Sequence, residues 1–171
     1  MRKIVCFIAM TLDGYIAEEN HDLSFLDAFN DPEIDDFIQN FMKGVDTLIM
    51  GHQTYLIIKD SNPWPYPNHQ SYVITHQDYT SKDHIVFTSN YESLVKDLKQ
   101  QPGHDIWLMG GGKLIHAFLK SNLMDELQIS ILPILLGKGI PLFQQQDHHI
   151  LFKHIETKHV KDIVHVIYQK K

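Results

Sequence analysis

The sequence predicts one α/β domain in which a mostly parallel sheet is finished by an antiparallel hairpin. Three observations lead there. Short apolar, β-prone runs alternate with segments of helical periodicity as far as Leu119. From Glu126 the pattern switches to strict alternation, and only strand-like runs follow. Strands alternating with helices build a parallel sheet, and a closing run of strands adds an antiparallel end. With 171 residues and no internal repeat, low-complexity tract or linker, the chain suits a single core.

The first element is the run Ile4, Val5, Cys6, Phe7, Ile8 and Ala9, continuous enough to be a strand buried on both faces. Asp13-Gly14 turns the chain, and Tyr15, Ile16 and Ala17 briefly resume the strand pattern. Asp31 and Pro32 form a cap and first turn for a helix carrying Ile34, Phe37, Ile38, Phe41 and Met42 on one face, stopped by Gly44. A second strand covers 47–50 and ends at Gly51, and a loop follows, rich in proline and aromatics over 61–68. Strands are expected at 71–75 and 84–87. A helix with Leu94, Val95 and Leu98 spans 90–101, and a strand covers 106–109. Gly110, Gly111 and Gly112 lead into an amphipathic helix with Leu114, Ile115, Phe118 and Leu119. Leu127, Ile129 and Ile131 then share one strand face, Gly137-Lys138-Gly139 turns, and two last strands are expected at 150–157 and 162–168.

Composition narrows the function. A net charge of −6 with scattered lysines argues against a nucleic-acid surface. No run approaches the roughly 20 apolar residues that span a bilayer. The apolar stretch after Met1-Arg2-Lys3 is short, is interrupted by Asp13 and lacks a small-residue cleavage site, so the expected location is cytoplasmic. The single cysteine, Cys6, reads as a buried structural thiol. Arg2 is the only arginine, which leaves no guanidinium clamp for a ligand in the interior. Twelve histidines, among them His148, His149, His154, His159 and His165, match no metal-ligand spacing and read as surface side chains.

The chemistry-bearing candidates gather at strand ends, where open α/β sheets bind ligands. A strand, then Gly110, Gly111 and Gly112, then a helix start, suits a pyrophosphate, because backbone can approach closely and helix amides are unpaired there. A plain tight turn is the alternative reading. Gly51 with His52 and Thr54, and Thr75 with His76, end two further strands in the same sense. For proton donation the candidates are Asp13, which could instead simply form a turn, and Asp35, which could instead be a solvated helix-face carboxylate.

Four stretches carry a family likeness: 10–17, 46–51, 109–114, and 125–127 together with 133–143, the last holding Pro133, Leu135, Leu136, Gly137, Gly139, Pro141, Leu142 and Phe143. They resemble the C-terminal reductase domain of the bifunctional riboflavin-biosynthesis deaminase–reductase and its stand-alone bacterial relatives. These share the dihydrofolate-reductase-like three-layer sandwich. The resemblance implies an NAD(P)H-dependent oxidoreductase passing hydride to a small heterocycle, pterin-, flavin- or pyrimidine-like, and a homodimer. NADPH is the implied cofactor, with NADH the alternative. The pyrophosphate would lie on Gly110, Gly111, Gly112, Lys113 and Leu114. Ala9 and Ile16 would face the nicotinamide, and Gly51, His52, Thr54, Thr75 and His76 the adenosine half. His52 and His76 stand where the family often has arginine, which weakens the expected grip on a 2′-phosphate. A non-catalytic dinucleotide- or ligand-binding protein on the same fold is the second reading.

Overall fold

The structure, a computed structural model, describes residues 1–146 and 149–171; His148, one of the histidines above, lies outside the described residues. In chain order the elements are β1 (Ile4–Thr11), β2 (Tyr15–Ala17), a 3-10 turn (Ser24–Phe29), α1 (Pro32–Met42), β3 (Val45–Gly51), α2 (His52–Ile58), β4 (Gln70–Ile74), β5 (Ile85–Thr88), α3 (Tyr91–Gln100), β6 (Asp105–Gly110), α4 (Gly112–Lys120), β7 (Glu126–Leu132), β8 (Ile140–Pro141), β9 (Phe152–Val160) and β10 (Ile163–Lys170). The main sheet runs β5-β4-β3-β6-β1-β7-β10-β9. It is parallel from β5 through β7, and β10 pairs antiparallel with both β7 and β9. β2 and β8 form a small second sheet.

The helices start where their sequences say. Asp31 accepts a hydrogen bond from the Glu33 amide at 2.8 Å with Pro32 in the first turn, and Asn90 accepts from Ser93 at 3.0 Å. α2 was not expected. It starts directly off β3 at Gly51, runs only seven residues and buries only Tyr55, so it carries no repeated apolar stripe to read.

Alternation along the strands separates two cores. On one face Ile4, Cys6, Ile49, Ile106, Leu108, Leu127 and Ile129 pack with Val95 and Leu98 of α3 and Ile115 and Phe118 of α4. On the other, Phe7, Leu48, Met50, Val73 and Trp107 meet Phe37, Ile38 and Phe41 of α1 and Tyr55 of α2. Helices on both faces of the sheet make three layers.

Trp107 is core, its indole N–H donating to Phe7 O at 2.9 Å. Cys6 is fully buried, and burial alone pushes its thiol up to about 12. Arg2 is buried at the amino-terminal edge of the sheet. There it is paired with Asp46 and donates to His104 O at 2.6 Å and Thr47 Oγ1 at 2.7 Å. The lone guanidinium thus ties β1 to β3 and the approach to β6, at the end opposite the candidate site. The expected surface placement fails for His165, which is 1% exposed; it faces the sheet's interior from β10, beneath α1. The apolar segment from Ile129 to Phe143, whose Ile and Leu content suits an interface as well as core, divides: its β7 portion is core, while Leu135 and Phe143 are exposed.

Candidate functional site

The carboxyl ends of β3 and β6 lie side by side and each runs straight into a helix. A methyl group built on Gly51 would come 3.6 Å from both Gly110 O and Gly111 N. The peptide between Gly110 and Gly111 is cis. The three glycines of the triplet have different reasons to be there. Gly110 has φ +113°, a conformation that disfavours any side chain. Gly112 faces β8 so closely that a Cβ would meet Pro141 O at 2.8 Å. Gly111 has an ordinary φ of −77°, and a Cβ there would meet nothing nearer than the Thr54 hydroxyl, 3.9 Å away. Among the described residues, Gly111 therefore leaves a cradle that no atom fills.

The cradle opens on the start of α4. Gly111 is the cap residue and supplies no side chain to satisfy the first amides of the helix. Those amides and the helix dipole favour an anion. Thr54 on α2 adds a hydroxyl beside Gly111, and Ile16 of β2 would lie 3.8 Å from a Cβ on Gly112. Lys113, exposed on the first turn of α4, adds positive charge nearby.

The structure brings together Ile16, Gly51, Thr54, Gly110, Gly111 and Gly112, with Leu114 behind them in the core. Ala9, half-buried, sits in β1 directly opposite Ser130 of β7. Thr75 is buried just past β4, where its amide donates to Thr88 O at 2.9 Å, and its hydroxyl accepts from the Gln77 amide at 3.1 Å. His76 is exposed next to it. His52 is engaged elsewhere: its Nε2 and the Tyr79 hydroxyl are hydrogen-bonded at 2.8 Å.

The two carboxylates stand apart. Asp13 Oδ1 accepts from the Thr11 hydroxyl at 2.6 Å and the Leu136 amide at 3.1 Å, while Oδ2 accepts from the Gly137 amide at 2.7 Å. The Thr11 bond first, then the two amides, hold this carboxyl below its ordinary range, so it stays an ionised clasp on the 136–137 turn. Asp35 is exposed on α1, one helical turn before the sheet-facing Ile38.

Sequence reasoning missed three polar groups nearby. Tyr79 lies in a loop with no periodicity to flag it. Ser130 sits on the strand face opposite Leu127 and Ile129, which alternation would assign to solvent, yet it is buried and hydrogen-bonded to His165 Nδ1 at 2.9 Å. Burial, with Lys158 nearby, pushes the His165 imidazole down to about 4. Among the described residues no group of His, Cys, Asp and Glu side chains is arranged to hold a metal.

Residues 2–166 match the profile of the RibD C-terminal domain. The chain belongs to that family. The uncharacterized protein YwjB of Bacillus subtilis is 35% identical over 170 residues, covering 98% of this chain and 97% of its own. The crystal structure of the "Putative riboflavin biosynthesis protein" of Shewanella sp. PV-4 superposes with a TM-score of 0.85 at 30% identity, covering 100% of this chain and 99% of that one. Dihydrofolate reductase from Enterococcus faecalis, solved with NADP(H) and RAB-propyl, shares the fold at a TM-score of 0.72 and 16% identity, covering 98% of this chain and 96% of that one. The RibD-type chain thus has the dihydrofolate-reductase-like sandwich that its motifs implied. No helix among the described residues is long and apolar enough to cross a membrane.

Proposed function

We propose that this RibD-type domain is an NAD(P)H-dependent reductase that delivers hydride to a small, flat heterocycle of the pterin, flavin or pyrimidine kind, in the cytoplasm. One observation carries the reading: the unfilled cradle at Gly111, beside Thr54 and at the uncapped start of α4. That arrangement fits the diphosphate of a dinucleotide, because amides and a dipole end meet the charge without needing a guanidinium. The presence of NADP(H) on the related fold of the Enterococcus enzyme supports the same cofactor here. Gly110, Gly111, Gly112, Lys113 and Leu114 would hold the diphosphate. Ala9 and Ile16 would bound the nicotinamide, and Gly51, His52, Thr54, Thr75 and His76 the adenosine half. When bound, the cofactor supplies the hydride. The protein's share is to hold two rings in register, which alone can lower the barrier substantially.

A specific observation favours the second reading, a binding protein without turnover. Asp13 is clasped to a turn and Asp35 is exposed to solvent on α1, so neither carboxylate is buried against the cradle. Titrating NADPH and NADH by fluorescence, then following nicotinamide oxidation with pterin, flavin and pyrimidine acceptors, decides between them. Turnover with any acceptor establishes the reductase. Tight binding without turnover supports the second reading, and no binding of either nucleotide removes the reductase and leaves only the binding of some other ligand.

β9 is the outer strand of the sheet and is exposed along most of its length, with Ile155 and the preceding Leu151 uncovered. An open edge of this kind invites pairing with another strand, and we propose a homodimer through it. Sedimentation at micromolar concentration should give twice the chain mass, and a monomer there rejects the pairing.

A further inference from the structure

The edge of the sheet opposite β9 is closed by a loop with a groove behind it. After β4 the chain loops out and returns as β5, the outermost strand on that side. The loop is fastened along β5: the Lys82 amide donates to Ile85 O at 2.9 Å, and Ser81 Oγ accepts from the Phe87 amide at 3.3 Å. Between this loop, β5 and the end of α2 lies an open groove of about 390 Å³. A space of that volume suits a small molecule.

The floor of the groove is aromatic. Tyr79 stacks on Phe87 with ring centres 4.6 Å apart and planes 14° from parallel. Tyr55 meets both rings edge-on, at 5.8 Å and 5.2 Å. Tyr55 is buried, whereas Tyr79 keeps 38% of its surface exposed. The Tyr79 hydroxyl is hydrogen-bonded to His52 Nε2 at 2.8 Å, which anchors the ring from the α2 side. Tyr79 therefore presents a fixed π surface although it sits in a loop.

The walls are polar and unequal. On one, Lys59 is paired with Asp60 at 2.7 Å, so their charges cancel. On the other stand Thr80 and Lys82, and among the described residues no carboxylate pairs with Lys82. The groove thus carries one unmatched positive charge in a chain of net charge −6. An ammonium is a compact point charge, suited to a carboxylate or a phosphate alike.

We propose that the groove between α2 and β5 is a second ligand site, taking a flat aromatic anion whose ring stacks on Tyr79 and whose charged group meets Lys82. The reductase reading above makes no use of this groove, so the two stand or fall apart.

The test titrates naphthyl phosphate and naphthoate into the full chain by calorimetry, with saturating NADPH present so that the glycine cradle is filled. At least one should bind below millimolar concentration and shift the Tyr79 ring resonances, and the one that binds identifies the charged group as phosphate or carboxylate. Naphthol and inorganic phosphate, each lacking one half of the ligand, should bind at least about fivefold more weakly. Lys82→Ala should weaken binding about fivefold. Tyr79→Ala should weaken it about tenfold, and Tyr79→Phe, which keeps the ring, should retain it. The proposal is overturned if neither anion binds at millimolar concentration, if the Tyr79 resonances stay unmoved, or if Lys82→Ala binds as well as the natural chain. The resonances are read in the natural protein, so that result stands even if Tyr79→Ala does not fold. Should the chain hold no NADPH, the same titrations are run without it, so failure of the reductase reading leaves this proposal open to the same three outcomes.

Discussion

Gly111→Val should weaken NADPH binding on the order of 100-fold, about 2.7 kcal/mol, while leaving the melting temperature within about 4 °C. Both halves of that expectation come from geometry. The valine would adopt an allowed backbone conformation at φ −77° and find open space, with Thr54 Oγ1 the nearest atom to its Cβ at 3.9 Å. That space is the one assigned to the diphosphate, so the branched side chain would exclude it. Gly112→Ala, one residue on, should do the reverse. Its methyl would press on Pro141 O at 2.8 Å, a backbone atom, and overpacking of that kind costs about 2 kcal/mol. Fluorescence titration beside thermal melting separates the two variants. Full NADPH affinity in Gly111→Val would remove the cradle from the cofactor site.

The second large effect is acid sensitivity at His165. Its imidazole titrates near 6.5 in an unfolded chain and at about 4 in the fold, chiefly because burial disfavours the cation, with Lys158 adding repulsion and Glu156 partly opposing it. Ser130, Phe7 and Phe37, the other groups against the ring, carry no charge. The folded-state pKa is depressed, so between pH 6.5 and 4 the unfolded chain binds the proton and the native one does not. Stability is therefore full above pH 6.5 and falls as the pH drops through that window, by about 3 kcal/mol in all. Asp13 and Glu126 also titrate low in the fold, but their losses start only below the ordinary carboxylate values of 3.8 and 4.5. Urea unfolding at pH 7, 5.5 and 4.5 should show a steeper decline for the natural protein than for His165→Phe. Parallel slopes would mean the ring is charged or solvated in the native state.

The layers were legible because they rest on long periodic signals. The alternation from Glu126 and the stripe from Ile34 to Met42 each repeat often enough to fix a face, and capping residues such as Asp31 mark the ends. α2 was not legible, since seven residues launched from a strand end have no room for a repeat. The glycine cradle could be found as composition, but not the division of labour within it. That depends on the approach of β8 and α2, which are distant in sequence. His165 and Ser130 were invisible for a related reason. Each is a polar residue on an alternating strand, and only the arrival of α1 turns that face inward.

Cys6 offers a practical opening. A thiolate forms so reluctantly behind the closed sheet that the natural chain should be inert to maleimides at neutral pH. A single cysteine introduced beside the groove of α2 and β5 would then be the one labelling handle. A dye placed there could report in real time when an aromatic anion arrives.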